Sequence, residues 1–497
     1  ASLSRHYYHW GTTGHWLRWW LDVADTSEIE PHIVEQFRLI LDSALVDSEI
    51  AELDIRKVTG WQLRKFFRRK LRVSLSKTWA IRIYNYSHFA LVAAARVGVA
   101  KKYRKRFDFW WAVNGFVRLF DRVVAVLAIV AALFVGFAAD RAHRENEDLV
   151  SSATSIMRDV GLGVVLATVE DYYYQYVAAP LSGGTPTTSA NFDGSAEPTA
   201  TPTSVPPAIA NVYEWGAATA FSEVPAALVS PAADVVPGEG EFQPTLITVG
   251  GHSVIRVARI RPDAEHTSYF ATVTWLDSKA LAFQQLPGTV YPEGNYDHGT
   301  GMVPDALRPF YVAGLADAFL LADSQGGYIL NGAVIKPMVA GKATLVTYTD
   351  GTMDIVQWGR DKLKGDLQVA RQNLQLNVDG GVSQVHDENQ YKWGWAWQGV
   401  GSGKNLVWRS AIGIRADGTF VFVIGDCLSA QSLADLMVRA GSVKAMPLDM
   451  NSGYANGFLY GPYAPTGKRL DPNIYRDANR FWIPSDRDFI AVYAKSP

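Results

Sequence analysis

The sequence predicts an α+β fold in which a sheet-rich extracytoplasmic domain follows one transmembrane helix and a small helical cytoplasmic domain. Three observations lead there. Residues 238–497 alternate short β-branched and aromatic runs with Gly, Asp and Asn turns, a strand and hairpin pattern. Val123–Ala139 is an uncharged apolar run, at the short end of what a membrane span requires. Residues 56–106 carry sixteen of the 47 Lys and Arg but none of the 49 Asp and Glu, a separation that points to two chemically different environments.

At 497 residues the chain is long enough for two or more domains, and 48% hydrophobic residues exclude a wholly disordered protein. Residues 1–55 are expected to form the helical cytoplasmic domain. Within them Ser27–Leu53 places Ile33, Phe37, Ile40, Leu41 and Leu45 at helical spacing, with Ser27 and Glu30 as a capping box. Residues 56–121 form a basic juxtamembrane region. Its segment WQLRKFFRRKLRV, Trp61 to Val73, interleaves aromatics with Arg and Lys, as suits a helix on an anionic membrane surface. The partner expected for residues 56–106 is therefore anionic lipid. Nucleic acid is the competing partner, and proximity to the span argues against it.

The transmembrane helix is placed at 122–139, with Trp110 and Trp111 at an interface; a buried helix of a soluble domain is the alternative. A run beginning at Val123 does not fit a signal peptide. The basic flank of Lys101, Lys102, Arg104, Lys105 and Arg106 stays inside, so the C-terminal domain lies outside the cell membrane. Residues 140–180 are expected to be an extracytoplasmic helical segment ending in Tyr172, Tyr173, Tyr174 and Tyr176. That cluster suits the outer interface or another membrane-protein subunit. Residues 181–237, rich in Pro, Thr and Ser, read as an extended linker.

Beyond the linker, Asp350-Gly351 and Asp417-Gly418 mark hairpin turns. A helix is clear in AQSLADLMVRAG, with Leu433, Leu436 and Met437 on one face and Gly441 at its end. Cys427, the lone cysteine, excludes an intramolecular disulfide framework and reads as structural, since the neighbouring Asp426 disfavours a thiolate. His252, His266, His298 and His386 show no metal-ligand spacing, and no phosphate-loop or dinucleotide motif occurs in context. The sequence names no cofactor and no metal.

The stretch WRSAIGIRADGTFVFVIGDCLSAQSLADLMVRAGSVKAMPLDMN, Trp408 to Asn451, resembles the signature of the phosphodiester glycosidase family. The likeness runs from GEGEFQP at Gly238 to the C-terminus, through RPD at Arg261, QWGRD at Gln357 and NLQLNVDGG at Asn373. It implies a domain at 238–497 that handles a glycan or sugar-phosphate ligand. Such chemistry needs groups that grip a phosphate, stabilise charge at the sugar and manage protons.

On that resemblance, Arg409 is the phosphate candidate, with a surface strand arginine as its plain alternative. Asp449 is the candidate acid, base or metal ligand at a strand end, and Asp379 a second carboxylate or an ordinary Asp-Gly-Gly turn. Asn451, Gly326 and Gly327 are the expected substrate-binding positions. The chain departs from the family twice: LDMNSGY replaces a motif similar to LDGGGS, and GLADAFLLAD, Gly314 to Asp323, lacks the usual asparagine and glycine, with Ala316, Asp317 and Ala318 in their place. Two functions are then open: a degenerate, non-catalytic subunit of a membrane assembly, or an active hydrolase of sugar phosphodiesters or envelope glycans.

Overall fold

The computed structural model describes residues 123–124, 128–142, 149–162, 172, 182–194, 215–218, 220–394 and 403–497. The predicted cytoplasmic domain at 1–55, the basic region at 56–121 and most of the tyrosine cluster lie outside these residues. The chain divides into two units, Ala1–Ala132 and Leu133–Pro497. Of the first, only helical residues at 123–124 and 128–132 are described; helix also covers 133–142. Ile129, Val130, Leu133, Val135 and Phe137 are exposed there. Among the described residues no helix is long and apolar enough to cross a membrane, so the predicted transmembrane helix is not supported by them. Residues 122 and 125–127 of that segment lie outside the described set. Helix α1 (Leu149–Asp159) opens the segment predicted as helical at 140–180 and stops at Gly161, whose φ of 82° a side chain would resist.

The sheet domain begins with β1 (Gln243–Pro244), β2 (Thr248–Val249), β3 (His252–Ser253), β4 (Ile255–Ile260) and β5 (Ala271–Leu276). Next come β6 (Leu281–Leu286), β7 (Tyr311–Ala316), the one-turn α2 (Leu321–Ser324), β8 (Tyr328–Leu330) and β9 (Ala333–Lys336). The middle of the domain holds β10 (Ala343–Tyr348), β11 (Met353–Gln357), β12 (Leu367–Gln372), β13 (Val378–Asp379) and β14 (Val382–Ser383). The signature stretch supplies β15 (Val407–Arg415), β16 (Phe420–Leu428), α3 (Ala430–Arg439) and β17 (Ser442–Met450). The chain closes with β18 (Gly457–Leu459), β19 (Lys468–Arg469) and β20 (Phe489–Ala494).

Among the described residues these strands form an eight-stranded sheet, β1-β4-β5-β16-β15-β17-β13-β14, and two five-stranded sheets, β11-β10-β12-β8-β9 and β19-β18-β7-β20-β6. β2 and β3 pair separately. The predicted α+β class holds in its coarse form, sheet-rich with few helices.

Strand β16 shows how alternation builds the layers. Phe420, Phe422 and Ile424 enter the core shared with β7, β18 and β20, whereas Val421 and Val423 face the other way and meet Leu433, Leu436 and Met437 of α3. Because both faces are covered, the strand is apolar throughout. Helix α3 starts at a capping box between Ser429 and Ser432 and ends at Gly441, φ 82°. The two predicted hairpins share one device. In each, the glycine donates its N–H to the carbonyl three residues back (Gly351 to Tyr348 and Gly418 to Arg415, both 3.0 Å), and the aspartate carboxylate accepts from the following threonine.

Two pieces of the predicted linker have no helix or regular sheet but lie packed on the sheet domain. Ala190 and Phe192 are buried, Arg259 donates to the Ser189 carbonyl at 2.7 Å, and the Tyr463 hydroxyl donates to Gly194 at 2.8 Å. Trp215 lies against Tyr493 and Leu228 joins the core beside α3. A composition too poor in apolar residues to fold alone still binds a preformed surface through its carbonyls and a few anchors. Glu239, within the GEGEFQP motif, accepts from the backbone N–H and the guanidinium of buried Arg261, so these two family-like motifs fasten the segment to β4.

Candidate functional site

Asp449 stands next to last in β17, and Asp317 immediately follows β7. The Asp449 N–H donates to the Asp317 carbonyl at 2.8 Å, so the ends of two sheets meet there. Strands β7 and β20 pair with Phe489 opposite Ala316, and the antiparallel register therefore sets Asp488 beside Asp317. Arg487, its neighbour, forms a short ion pair with the Asp449 carboxylate and donates to the Ala318 carbonyl at 3.2 Å. Its guanidinium lies 4.8 Å from the ring centre of Tyr454 and 5.3 Å from that of Tyr291. From β12, Arg371 donates through Nε to Asp488 at 2.8 Å and through its terminal nitrogens to the carbonyls of Gln372, 3.0 Å, and Phe319, 2.5 Å.

Three carboxyls and two guanidiniums thus share a buried cluster, all five residues less than a tenth exposed. Donors and acceptors are not fully matched within it, and Nε of Arg487 has no hydrogen-bond partner. Neither Asp317 carboxyl oxygen finds a partner with acceptable hydrogen-bond geometry, and Asp488 Oδ1 is also left over. Burial, and then the charge on Asp488, push the Asp317 carboxyl up to about 8, against the pull of Arg371. Burial raises Asp449 to about 6, with Arg487 opposing. For Arg487 burial lowers the pKa, but Asp449 and Asp488 outweigh it and hold the cation firmly charged. At neutral pH the protonated Asp317 leaves two carboxylates for two guanidiniums. Tyr296 and Tyr328, 5.8 Å apart between ring centres, adjoin the cluster, and burial raises both phenols.

The residues expected from the sequence divide sharply. Asp449 belongs to the cluster; Arg409 does not. The Arg409 guanidinium donates to the carbonyls of Leu428 at 2.8 Å, Trp393 at 3.0 Å, and Gly403 and Asn405 at 3.4 Å, with no acid among its partners. Burial lowers its pKa to about 10. Asp379 sits at the other end of β17, opposite Lys444, and is held by exposed Arg360 in a network with Asp361. Five residues of strand separate Lys444 from Asp449, roughly 16 Å.

Gly326 and Gly327 follow α2. A Cβ at Gly326 would lie 2.7 Å from that of Gln372, and one at Gly327 2.4 Å from the Pro337 carbonyl, so intramolecular packing alone requires glycine there. Asn451, at φ 80°, turns the chain out of β17, its carbonyl accepting from Ala455 at 2.9 Å. Cys427 is buried, and burial with Asp426 pushes its thiol well up, in keeping with a structural role. Among the described residues no cluster of His, Cys, Asp or Glu could hold a metal ion.

Arg371, Arg487 and Asp488 were not found from the sequence. One signal was available: a charged residue inside or against an apolar strand run, as in LQVARQ and SDRDFIAVYA, must carry its partner into the core.

The family model for phosphodiester glycosidases matches residues 310–449, which include Asp317, Arg371 and Asp449. The C-terminal half therefore carries a phosphodiester glycosidase-like domain. No curated protein matches the chain. Among solved structures, the catalytic domain of zebrafish N-acetylglucosamine-1-phosphodiester alpha-N-acetylglucosaminidase, auto-inhibited by its pro-peptide, is similar at 13% identity and a TM-score of 0.34, over 52% of this chain and 87% of that one. A hypothetical protein from Synechocystis is similar at 11% identity and a TM-score of 0.34, over 51% of this chain and 64% of that one. A putative exported protein from Burkholderia pseudomallei is similar at 10% identity and a TM-score of 0.25, over 45% and 74%.

Proposed function

We propose that this chain is a membrane-anchored protein whose phosphodiester glycosidase-like domain does not turn over anionic sugar phosphodiesters and serves as a non-catalytic subunit of a membrane assembly. The observation that carries the reading is the state of the arginines. Arg409 is engaged by four carbonyls, Arg487 by Asp449 and Ala318, and Arg371 by Asp488 and two carbonyls. A phosphate entering the cluster would have to displace the Asp449 and Asp488 carboxylates already in place on Arg487 and Arg371. Like charge in a buried site opposes such a ligand. The anchor rests on the apolar run at 122–139, and the lipid contact on the basic residues at 56–106.

The alternative, an active hydrolase, draws on Asp317 and Asp449, two buried carboxyls joined by a backbone bond and held at different acidities, as acid and base pairs are. One assay decides. The purified full chain, given a chromogenic sugar phosphodiester, is expected to release no product, while the triple change Ala316→Asn, Asp317→Gly and Ala318→Gly restores the family pattern and gains activity. Robust turnover by the unmodified chain overturns the non-catalytic reading.

A further inference from the structure

Residues 288–301, between β6 and β7, run over the acid cluster, and the ends of this loop are held differently from its tip. At the ends the backbone is bonded. The N–H groups of Thr289 and Tyr291 donate to the carbonyls of Ser485 and Asp486 at 2.8 and 2.9 Å, and that of Ser485 donates to the Gly301 carbonyl at 3.0 Å. Across 292–300, among the described residues, no backbone–backbone hydrogen bond is made. The tip reaches the rest of the domain through side chains. Glu293 accepts from the N–H of Leu321 at 3.0 Å and of Ala322 at 3.4 Å, and Tyr296 lies against Tyr328, 5.8 Å between ring centres. Gly294 packs so closely on β9 that a Cβ there would fall 2.3 Å from Cγ2 of Ile335. The other bonds of the tip close within the loop, the Tyr296 hydroxyl donating to the Pro292 carbonyl at 2.7 Å and the Gly299 N–H to Asp297 at 2.9 Å.

The loop has an outside and an inside. Gly294, Asn295, Asp297, Gly299 and Thr300 are exposed, whereas Tyr296 turns in to where the charges of Asp488 and Arg371 act on it, and Tyr291 lies over Arg487. We propose that residues 292–300 are a hinged lid over the acid cluster, held shut by Glu293 and Tyr296, whose opening exposes Asp317 and Asp488 to solvent. A segment with solvent on one side and no backbone bonds opens at far lower cost than the strands beneath it. Gly299 and Gly301, at φ 68° and 64°, supply the turning point at one end. The closed state also carries a penalty that opening removes. Both oxygens of Asp317, Oδ1 of Asp488 and Nε of Arg487 are buried without partners, and an open lid lets water reach them.

The inference rests on this cluster being the candidate site, and not on whether the site turns anything over. Carboxyl footprinting of the full chain tests it. A water-soluble carbodiimide with glycine ethyl ester converts accessible carboxyls to amides, read residue by residue by mass spectrometry. Exposed Asp297 should be labelled at once, and Asp317 and Asp488 slowly, at the rate at which the lid opens. Asp471 is as buried as Asp317, each 2% exposed, but is bonded to Thr272 and Asn473, so it reports general unfolding and should stay unlabelled. Glu293→Ala takes away the carboxylate that holds the tip to α2. It should speed labelling of Asp317 and Asp488 roughly 10- to 100-fold, the effect of losing hydrogen bonds to a charged group, with Asp471 unchanged. Glu293→Gln keeps an acceptor for one amide and should fall between the parent and Glu293→Ala. Tyr296→Ala releases the other contact and should act in the same direction.

Labelling of Asp317 and Asp488 that responds to neither Glu293→Ala nor Tyr296→Ala overturns the lid. So does labelling of Asp471 in step with them, which marks loosening of the whole domain. Labelling needs no turnover, so this test and the hydrolysis assay fail separately.

Discussion

Arg261 and Arg371 are both fully buried guanidiniums, and each grips a carboxylate. Around Arg261 the match is complete. Glu239 accepts from the Arg261 N–H and guanidinium, the Ser230 hydroxyl and the Val236 N–H, and Asp234 takes the rest of the fork. Around Arg371 the match fails by three oxygens: Asp488 keeps one without a partner and Asp317 has two. A balanced buried pair holds a segment in place and invites nothing further. An unbalanced one takes up a proton, and of its residues the family model covers Arg371 and Asp317 but not Asp488.

The sharpest way to break this contrast is to unbalance the balanced pair. Glu239→Ala leaves Arg261 buried with only the exposed Asp234, and should cost about 3–5 kcal/mol in urea unfolding. A loss under about 1 kcal/mol would mean that the pair is dispensable. Arg409→Ala tests the second saturated arginine. It strands several carbonyls and should cost on the order of 2–3 kcal/mol in the same measurement, while leaving any affinity for inorganic phosphate unchanged.

Asp317 gives the opposite sign. Its folded pKa of about 8 lies above the unfolded value of about 3.9, so between those limits the native state holds more protons than the unfolded one. Stability must then fall as pH rises from about 4 to about 8. Asp317→Asn removes that dependence, so the variant should gain on the parent across the same window in paired thermal melts; parallel curves would refute a protonated Asp317. The smallest effect is expected at the surface, where Arg360→Ala frees Asp379 and should change stability by at most about 1 kcal/mol.

Much of the fold was legible in the sequence because its signals are local. The Asp-Gly-Thr turns at 350 and 417, the alternation in GTFVFVIG and the apolar face of α3 each need only a dozen residues to be read. Asp449 was legible as a strand-end acid. Arg409 was legible as an arginine opening an apolar strand but its partners were not, since such an arginine looks the same in sequence whether it faces a ligand or the carbonyls of Leu428, Trp393, Gly403 and Asn405. Arg487 and Asp488 were invisible because their meaning depends on register with β7, which no local pattern encodes. The packed pieces at 182–194, 215–218 and 220–237 were hidden by composition, since scattered anchors such as Phe192 and Trp215 give no periodic signal.

The cluster is stitched by bonds between residues 52, 117 and 169 positions apart. Loop closure of that span costs entropy that no single contact returns. The cluster is complete only when β7, β12, β17 and β20 are all in register, so it is made of non-local contacts. Until then Asp317 is a strand end in water, ionised like any other acid. Docking of the C-terminal strand brings Asp488 and its charge alongside, and the chain must take a proton from solvent as it closes. The final strand is the keystone of the domain, and setting it is an acid–base event as well as a mechanical one.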